Sequence, residues 1–126
     1  AGRTELGFVV CLCGLTLSLG ATQALSDQLR TQAHTAWMRN DMPNCIEANK
    51  QRTRLDPQNG DAYQNLGAAY DRVGDAAAAL DAFKQAVDVD PTRPNSLLSL
   101  GIGFNRVGQA CDQVSLSNAG QRSQNL

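Results

Sequence analysis

A 34-residue period runs through the chain and limits the folds open to it. The recurring residues are Pro57 and Pro91, Leu66-Gly67 and Leu100-Gly101, Tyr70 and Phe104, and Arg72-Val73-Gly74 and Arg106-Val107-Gly108. Several independent matches at one offset are the sequence signature of stacked supersecondary units. We therefore predict a repeat protein in which each unit covers the apolar face of its neighbour.

The middle copy, residues 60–93, predicts two antiparallel helices. Asp61 is expected to cap a first helix whose apolar stripe contains Leu66, Ala69 and Tyr70. Gly67 lies inside that helix, where glycine costs roughly 1 kcal/mol relative to alanine, a cost that the close approach of a neighbouring helix would explain. The second helix places its apolar residues on one face: Ala79, Leu80, Phe83, Ala86 and Val87.

The breaks between these helices are also encoded. Gly74 suits the left-handed position that ends a helix, and Asp75 suits the cap of the next one. Pro91 disfavours helical geometry at Asp90 and should stop the second helix. The unit is therefore a helical hairpin.

The middle copy resembles the tetratricopeptide-repeat (TPR) family in Leu66, Gly67, Tyr70, Gly74, Ala79, Phe83, Ala86 and Pro91. Gly101, Phe104 and Gly108 continue this signature into the third copy. The resemblance covers about residues 26–126. It implies an all-α, right-handed solenoid of antiparallel helical hairpins, with repeats at about 26–59, 60–93 and 94–126, the last degenerate or truncated.

The flanking copies depart from the pattern. In the first, Asn40 and Pro43 keep the turn and the helix start, but Asn49 and Arg52 replace the aromatic residue and an alanine, which predicts looser packing. In the third, Asn95 is the expected cap and Cys111 should start the second helix. Ser117 and Gly120 replace the aromatic residue and an alanine there. Cys45 and Cys111 are expected to lie too far apart for a disulfide.

The N-terminal segment, residues 1–25, differs in composition from the rest of the chain. Residues 6–19 carry no charge and are followed by the small and polar run 20–24. This pattern fits a secretory signal peptide cleaved after Ala24, since an apolar core of about 14 residues is typical of one. An uncleaved membrane anchor within residues 6–25, or a buried helix of the domain, fits as well. We predict residues 1–24 as signal peptide or anchor, residues 25–126 as the TPR domain, and an exported protein, periplasmic, secreted or membrane-anchored.

The net charge and the reactive residues of the chain limit the functions that are possible. The net charge is -1 without a cluster of Lys and Arg, which argues against nucleic acid as a partner. His34 is the one histidine, and neither phosphate loop, nucleophile motif nor metal-ligand spacing occurs. We therefore predict a non-enzymatic protein without metal or cofactor.

The resemblance also implies a binding surface, because the first helix of each TPR repeat lines a concave groove. The groove positions carried over to this sequence are Arg30, His34, Trp37, Met38, Gln64, Asp71, Arg72, Leu98, Asn105 and Arg106, together with Asp27, Asp61, Ala68, Asn95 and Ile102. Trp37 beside Met38 is typical of a binding hot spot, although Trp37 would equally serve to cover the end of the first repeat. Arg72 and Arg106 form either a ladder of binding cations or ordinary surface charges paired with Asp71.

Three functions remain open. The first is a scaffold or adaptor that binds a segment of a partner protein in the groove, in the cell envelope or outside the cell. The second is the TPR portion of a larger, truncated enzyme. The third is an assembly subunit that associates with itself through uncapped ends.

Overall fold

A computed structural model describes the backbone of residues 2–124 and the side chains of residues 19–118 and 120. This part of the chain forms five α-helices and no strand: α1 (Gly2–Met38), α2 (Met42–Leu55), α3 (Gly60–Val73), α4 (Ala76–Val89) and α5 (Pro94–Gln124). Each helix packs against the next, and α3 also contacts α5. The all-α prediction is confirmed, with two complete hairpins, α1–α2 and α3–α4, followed by α5.

Both hairpins turn in the same way, at equivalent positions of the repeat. Asn40 (φ 59°) and Gly74 (φ 86°) adopt the left-handed conformation. Each is followed by an aspartate that caps the next helix: Asp41 accepts a hydrogen bond from the Asn44 N–H, and Asp75 accepts one from the Ala78 N–H. The left-handed residue ends one helix and the carboxylate satisfies a free N–H of the other, so the chain reverses direction.

The third turn does not form. Gly108 occupies the position of Gly74, but Gln109 occupies that of Asp75. Glutamine is not among the residues that cap a helix well, so the chain gains little by breaking there. The expected second helix starting at Cys111 is therefore wrong, and residues 94–124 form one helix.

Two other predicted caps are wrong. Asn59, not Asp61, caps α3, because its Oδ1 accepts the Ala62 N–H at 3.1 Å. Asp61 lies in the first turn and pairs with Arg93 instead. Asn95 lies inside α5, which begins at Pro94.

Small residues bring the helices close together in the core. Ala62, Ala69, Ala79 and Ala86 are almost completely buried. Gly67 is buried against the Phe83 ring, which is the close approach predicted for this glycine. This contact joins α3 to α4.

Helix α1 continues without a break from Gly2 to Met38, through the predicted leader. The side chains of residues 1–18, on which that prediction depends, lie outside the described residues. In the portion of the chain that the structure describes, no helix combines the length and apolar character required to cross a membrane.

A candidate binding groove between α1, α3 and α5

Two adjoining cavities form a groove along α1, α3 and α5. The first has a volume of about 630 Å³ and lies between the hairpin α1–α2 and α3. The second, of about 580 Å³, lies between α3 and α5. Trp37, Asn65 and Ala68 line both cavities, so the two form one continuous depression.

Trp37 is the centre of this groove. Its side chain packs against the buried cluster of Ala36, Met42, Cys45 and Ala69 while it lines both cavities. The Arg72 guanidinium lies over the indole, 4.6 Å from the ring centroid. Trp37 thus packs on the core shared by the first hairpin and α3, and not over an exposed end of the first repeat, and it also faces the groove. Its role as a binding hot spot stays a prediction.

The cations of the groove differ in their pairing. Arg106 Nε lies 3.4 Å from Asp71 Oδ1, and Arg30 Nη2 lies 3.5 Å from Asp27 Oδ1. Arg72 forms no ion pair within the described residues and stacks on Trp37 instead. Its charge is therefore the one best placed to meet an acidic group of a ligand.

The structure brings most of the predicted groove residues together. Arg30, His34, Trp37 and Met38 line the first cavity, and Gln64, Asp71, Arg72 and Arg106 line the second, along with Trp37. Ala68 and Ile102, also carried over from the resemblance, line the groove, but Leu98 and Asn105 lie exposed on α5 and line neither cavity. The binding role of all these residues stays a prediction.

Asn65, Asn49 and Ser99 line the groove although the carried-over positions omit them. Gln64 Nε2 lies 3.5 Å from Ser99 Oγ, a hydrogen bond that joins α3 to α5 across the groove. Asn49 could have been found from the sequence, because it stands one repeat before Phe83 and replaces a ring with a short amide.

Asn49, which lines the first cavity, belongs to a buried polar pair with Arg52. Asn49 is completely buried, and its Oδ1 accepts a hydrogen bond from Arg52 at 2.9 Å while its Nδ2 donates to the Cys45 carbonyl at 3.0 Å. Arg52 is only 4% exposed, and burial lowers the pKa of its guanidinium. Arg52 Nε has no hydrogen-bond partner among the described residues.

Reactive groups are sparse in the groove. Burial raises the pKa of the Cys45 thiol, which favours its inert, protonated form. Cys45 and Cys111 are both free. The described residues hold no group of three or more His, Cys, Asp or Glu side chains suited to a metal ion. The groove thus offers a ligand a concave shape, an aromatic ring and charged side chains.

No protein-family model matches this sequence, and no curated protein matches it either. Solved structures do. A complex of the TPR2B domain of yeast Sti1 with pHsp70 matches with a TM-score of 0.64 and 17% identity, covering 70% of this chain and 70% of that chain. The Sgt2 TPR domain from Aspergillus fumigatus matches with a TM-score of 0.63 and 25% identity, covering 67% and 56% of the two chains.

An O-GlcNAc transferase mutant from Thermobaculum terrenum also matches, with a TM-score of 0.61 and 24% identity. The match covers 66% of this chain and 16% of the transferase, so the chain corresponds to a small part of that protein. These likenesses confirm the predicted fold class, a TPR-like helical solenoid.

Proposed function

We propose that this chain is a protein–protein interaction scaffold that binds a segment of a partner protein in the groove between α1, α3 and α5. The observation that carries the proposal is the stack of Arg72 on Trp37 where the two cavities meet. Aromatic and arginine side chains dominate the binding energy of protein interfaces, above all when they are pre-positioned. Here the contact with Arg72 holds Trp37 in place before any partner arrives.

The residues that line the groove also indicate which kind of partner segment would bind there. Among the described residues that line the groove, three are arginines, Arg30, Arg72 and Arg106, and one is a carboxylate, Asp71. The first cavity adds the apolar surface of Trp37 and Met38. A segment with a carboxylate next to a bulky apolar side chain would satisfy both features, and the Sti1 domain, whose structure is a complex with pHsp70, shows that a related fold accepts a protein ligand.

We further propose that the protein acts in the cell envelope or outside the cell, supported by the uncharged stretch 6–19 and the small residues after it. A membrane tether through residues 6–25 is the alternative form of this proposal. Fractionation of cells that express the complete gene product with a C-terminal tag tests it. Recovery of the tag in the cytosol alone would contradict both forms.

Affinity capture with the full chain tests the groove, and the affinity for peptides of the captured protein is then measured. Two variants address it: Arg72→Glu reverses the charge, and Ala68→Leu fills the depression that the two cavities share. Arg54→Glu makes the same charge change on α2, at an exposed residue that lines neither cavity. We expect Arg72→Glu and Ala68→Leu to weaken binding about tenfold or more and Arg54→Glu to leave it unchanged.

Trp37 is the only tryptophan in the chain, so its fluorescence reports directly on the groove. A peptide that enters the groove should change the emission of Trp37 and protect it from a soluble quencher. Equal binding by all three variants, without a change in Trp37 emission, would show that the partner binds to another surface.

A second function is favoured by one finding, the match to part of an O-GlcNAc transferase. In this alternative the chain is the TPR portion of a larger enzyme, and the groove presents a substrate protein to a catalytic domain. The complete reading frame decides between the two, since a catalytic domain in the same gene product would favour the enzyme.

A further inference from the structure

One face of α5 carries the apolar residues of a hairpin but is largely exposed in the part of the chain that the structure describes, with Lys84 Nζ of α4 lying 5.6 Å from the centroid of the Phe104 ring at its edge. Leu97 and Phe104 are 51% and 54% exposed, although Tyr63 and Tyr70, their counterparts in α3, are half-buried. A Cβ at Gly67 would clash with Phe83, whereas a Cβ at Gly101 would meet nothing within 4 Å. A glycine inside a helix is costly, and Gly101 lacks the close neighbour that compensates for it in α3. We call the surface of Leu97, Gly101 and Phe104 the open face.

The second half of α5 carries an apolar surface that is exposed as well. Val114 and Leu116 are 59% and 73% exposed. Their counterparts one repeat earlier, Leu80 and Ala82, are buried in the hairpin of α4 with α3. Residues 109–118 are therefore in register with the helix that would cover the open face.

These two surfaces of α5 are kept apart because residue 109 is not a helix-capping residue. Asp41 and Asp75 allow the first two hairpins to close, whereas Gln109 lets α5 run straight through. In a single copy, a straight helix carries residues 109–118 away from the open face of the same chain. A second copy brings an identical segment to it.

We propose that two copies of this chain exchange residues 109–118, so that each segment packs on the open face of the other copy. This is a domain swap in which the turn of a hairpin becomes the straight middle of a long helix. It goes beyond the proposed groove function, because the open face faces away from the residues that line the cavities.

The repeat fixes the register of the exchange. Gly67 faces Phe83 in the middle hairpin, so Gly101 should face Ser117 of the second copy, the equivalent pair one repeat on. The two α5 helices then run antiparallel and cross near Gly108.

Cross-linking tests this register in the full chain. Gly101→Cys and Ser117→Cys are combined with serine at Cys11, Cys13 and Cys111, and copies with and without a heavy isotope are mixed, unfolded and refolded together before oxidation. We expect a disulfide that joins a labelled to an unlabelled chain, seen as a dimer on a non-reducing gel and identified by mass spectrometry. A disulfide within one chain, or none, would overturn the proposal.

Light scattering of a variant with a restored helix cap tests whether the missing cap at residue 109 causes the exchange. Gln109→Asp restores the residue that caps α2 and α4, so the chain should fold back and the dissociation constant of the dimer should rise on the order of tenfold or more. Gln85→Asp makes the same change at an exposed residue of α4, outside the exchanged segment and the open face, and should leave the dimer intact. A wild-type monomer, or equal association of the two variants, would overturn the exchange.

Discussion

Gly67 and Phe83 face each other so closely that a Cβ at residue 67 would lie 2.5 Å from Phe83 Cε1. The equivalent pair in the first hairpin is Ala33 and Asn49, both buried. In that hairpin alanine stands where the middle hairpin has glycine, and the short amide of asparagine stands where it has the phenylalanine ring. The space between the helices is thus divided differently in the two hairpins, and the first cavity opens next to the smaller pair.

Gly67→Ala should destabilise the fold by about 1–3 kcal/mol, because the new methyl group forces the Phe83 ring to move. Urea unfolding followed by circular dichroism measures the change. Gly101→Ala, measured at a protein concentration at which the chain is monomeric, is the matched control at the equivalent position of α5, where the methyl group then has room and alanine favours the helix by about 1 kcal/mol. Equal effects of the two substitutions would contradict the close contact.

Arg72 and Trp37 should be energetically coupled. A double-mutant cycle with Arg72→Met and Trp37→Leu is expected to give a coupling energy of about 0.5–1 kcal/mol, since a stacked cation contributes that much at an exposed site. The free energies of unfolding of the four proteins supply the measurement. Strictly additive effects would mean that the stack does not contribute to the stability of the unbound protein.

The hairpins could be predicted because their turn residues are local signals. Asn40, Gly74 and Asp75 each act within a few residues of their own position, so the sequence alone identifies them. The cap of α3 was missed because Asn59 and Asp61 are both good caps, and only the structure shows that Asp61 pairs with Arg93.

The straight path of α5 was harder to foresee. Gly108 keeps the turn signal, and the decisive difference is the missing cap at Gln109, which matters only when the energies of bent and straight helices are compared. Likewise, the groove positions came from the resemblance to the TPR family, whereas the stack of Arg72 on Trp37 depends on how far α1 and α3 are apart. Distances between units are set by core packing across the repeats, which the pattern of one repeat does not contain.

Cys45 should react much more slowly than Cys111 with an alkylating reagent at mildly alkaline pH. Cys45 is buried and burial raises the pKa of its thiol, so both access and the thiolate fraction are reduced, while Cys111 is exposed. Peptide mass spectrometry after timed quenching gives both rates, and addition of urea should make them similar. Equal rates in the native protein would contradict the burial of Cys45.

Asp90 should make stability depend on pH in the acid range. The hydrogen bond from the Thr92 hydroxyl, at 2.7 Å, lowers the pKa of this carboxyl, with help from the Thr92 N–H and Arg93. Its contribution is therefore complete above the pKa of the unfolded chain and lost as the pH falls through the lower pKa of the folded state. Asp90→Asn should flatten the fall of the melting temperature below about pH 4. Asp81→Asn, at an exposed position of α4, is the control and should keep the wild-type slope.

Asn49→Ala should destabilise the fold by about 2–4 kcal/mol, because it leaves the buried Arg52 guanidinium without the amide oxygen that accepts its hydrogen bond. Adding Arg52→Met should restore most of this loss, since methionine has a similar length and no charge to satisfy. Urea unfolding of both variants and of Arg52→Met alone completes the cycle. If the double variant is no more stable than Asn49→Ala, the cost lies in the lost volume of the amide and not in the unpaired charge of Arg52.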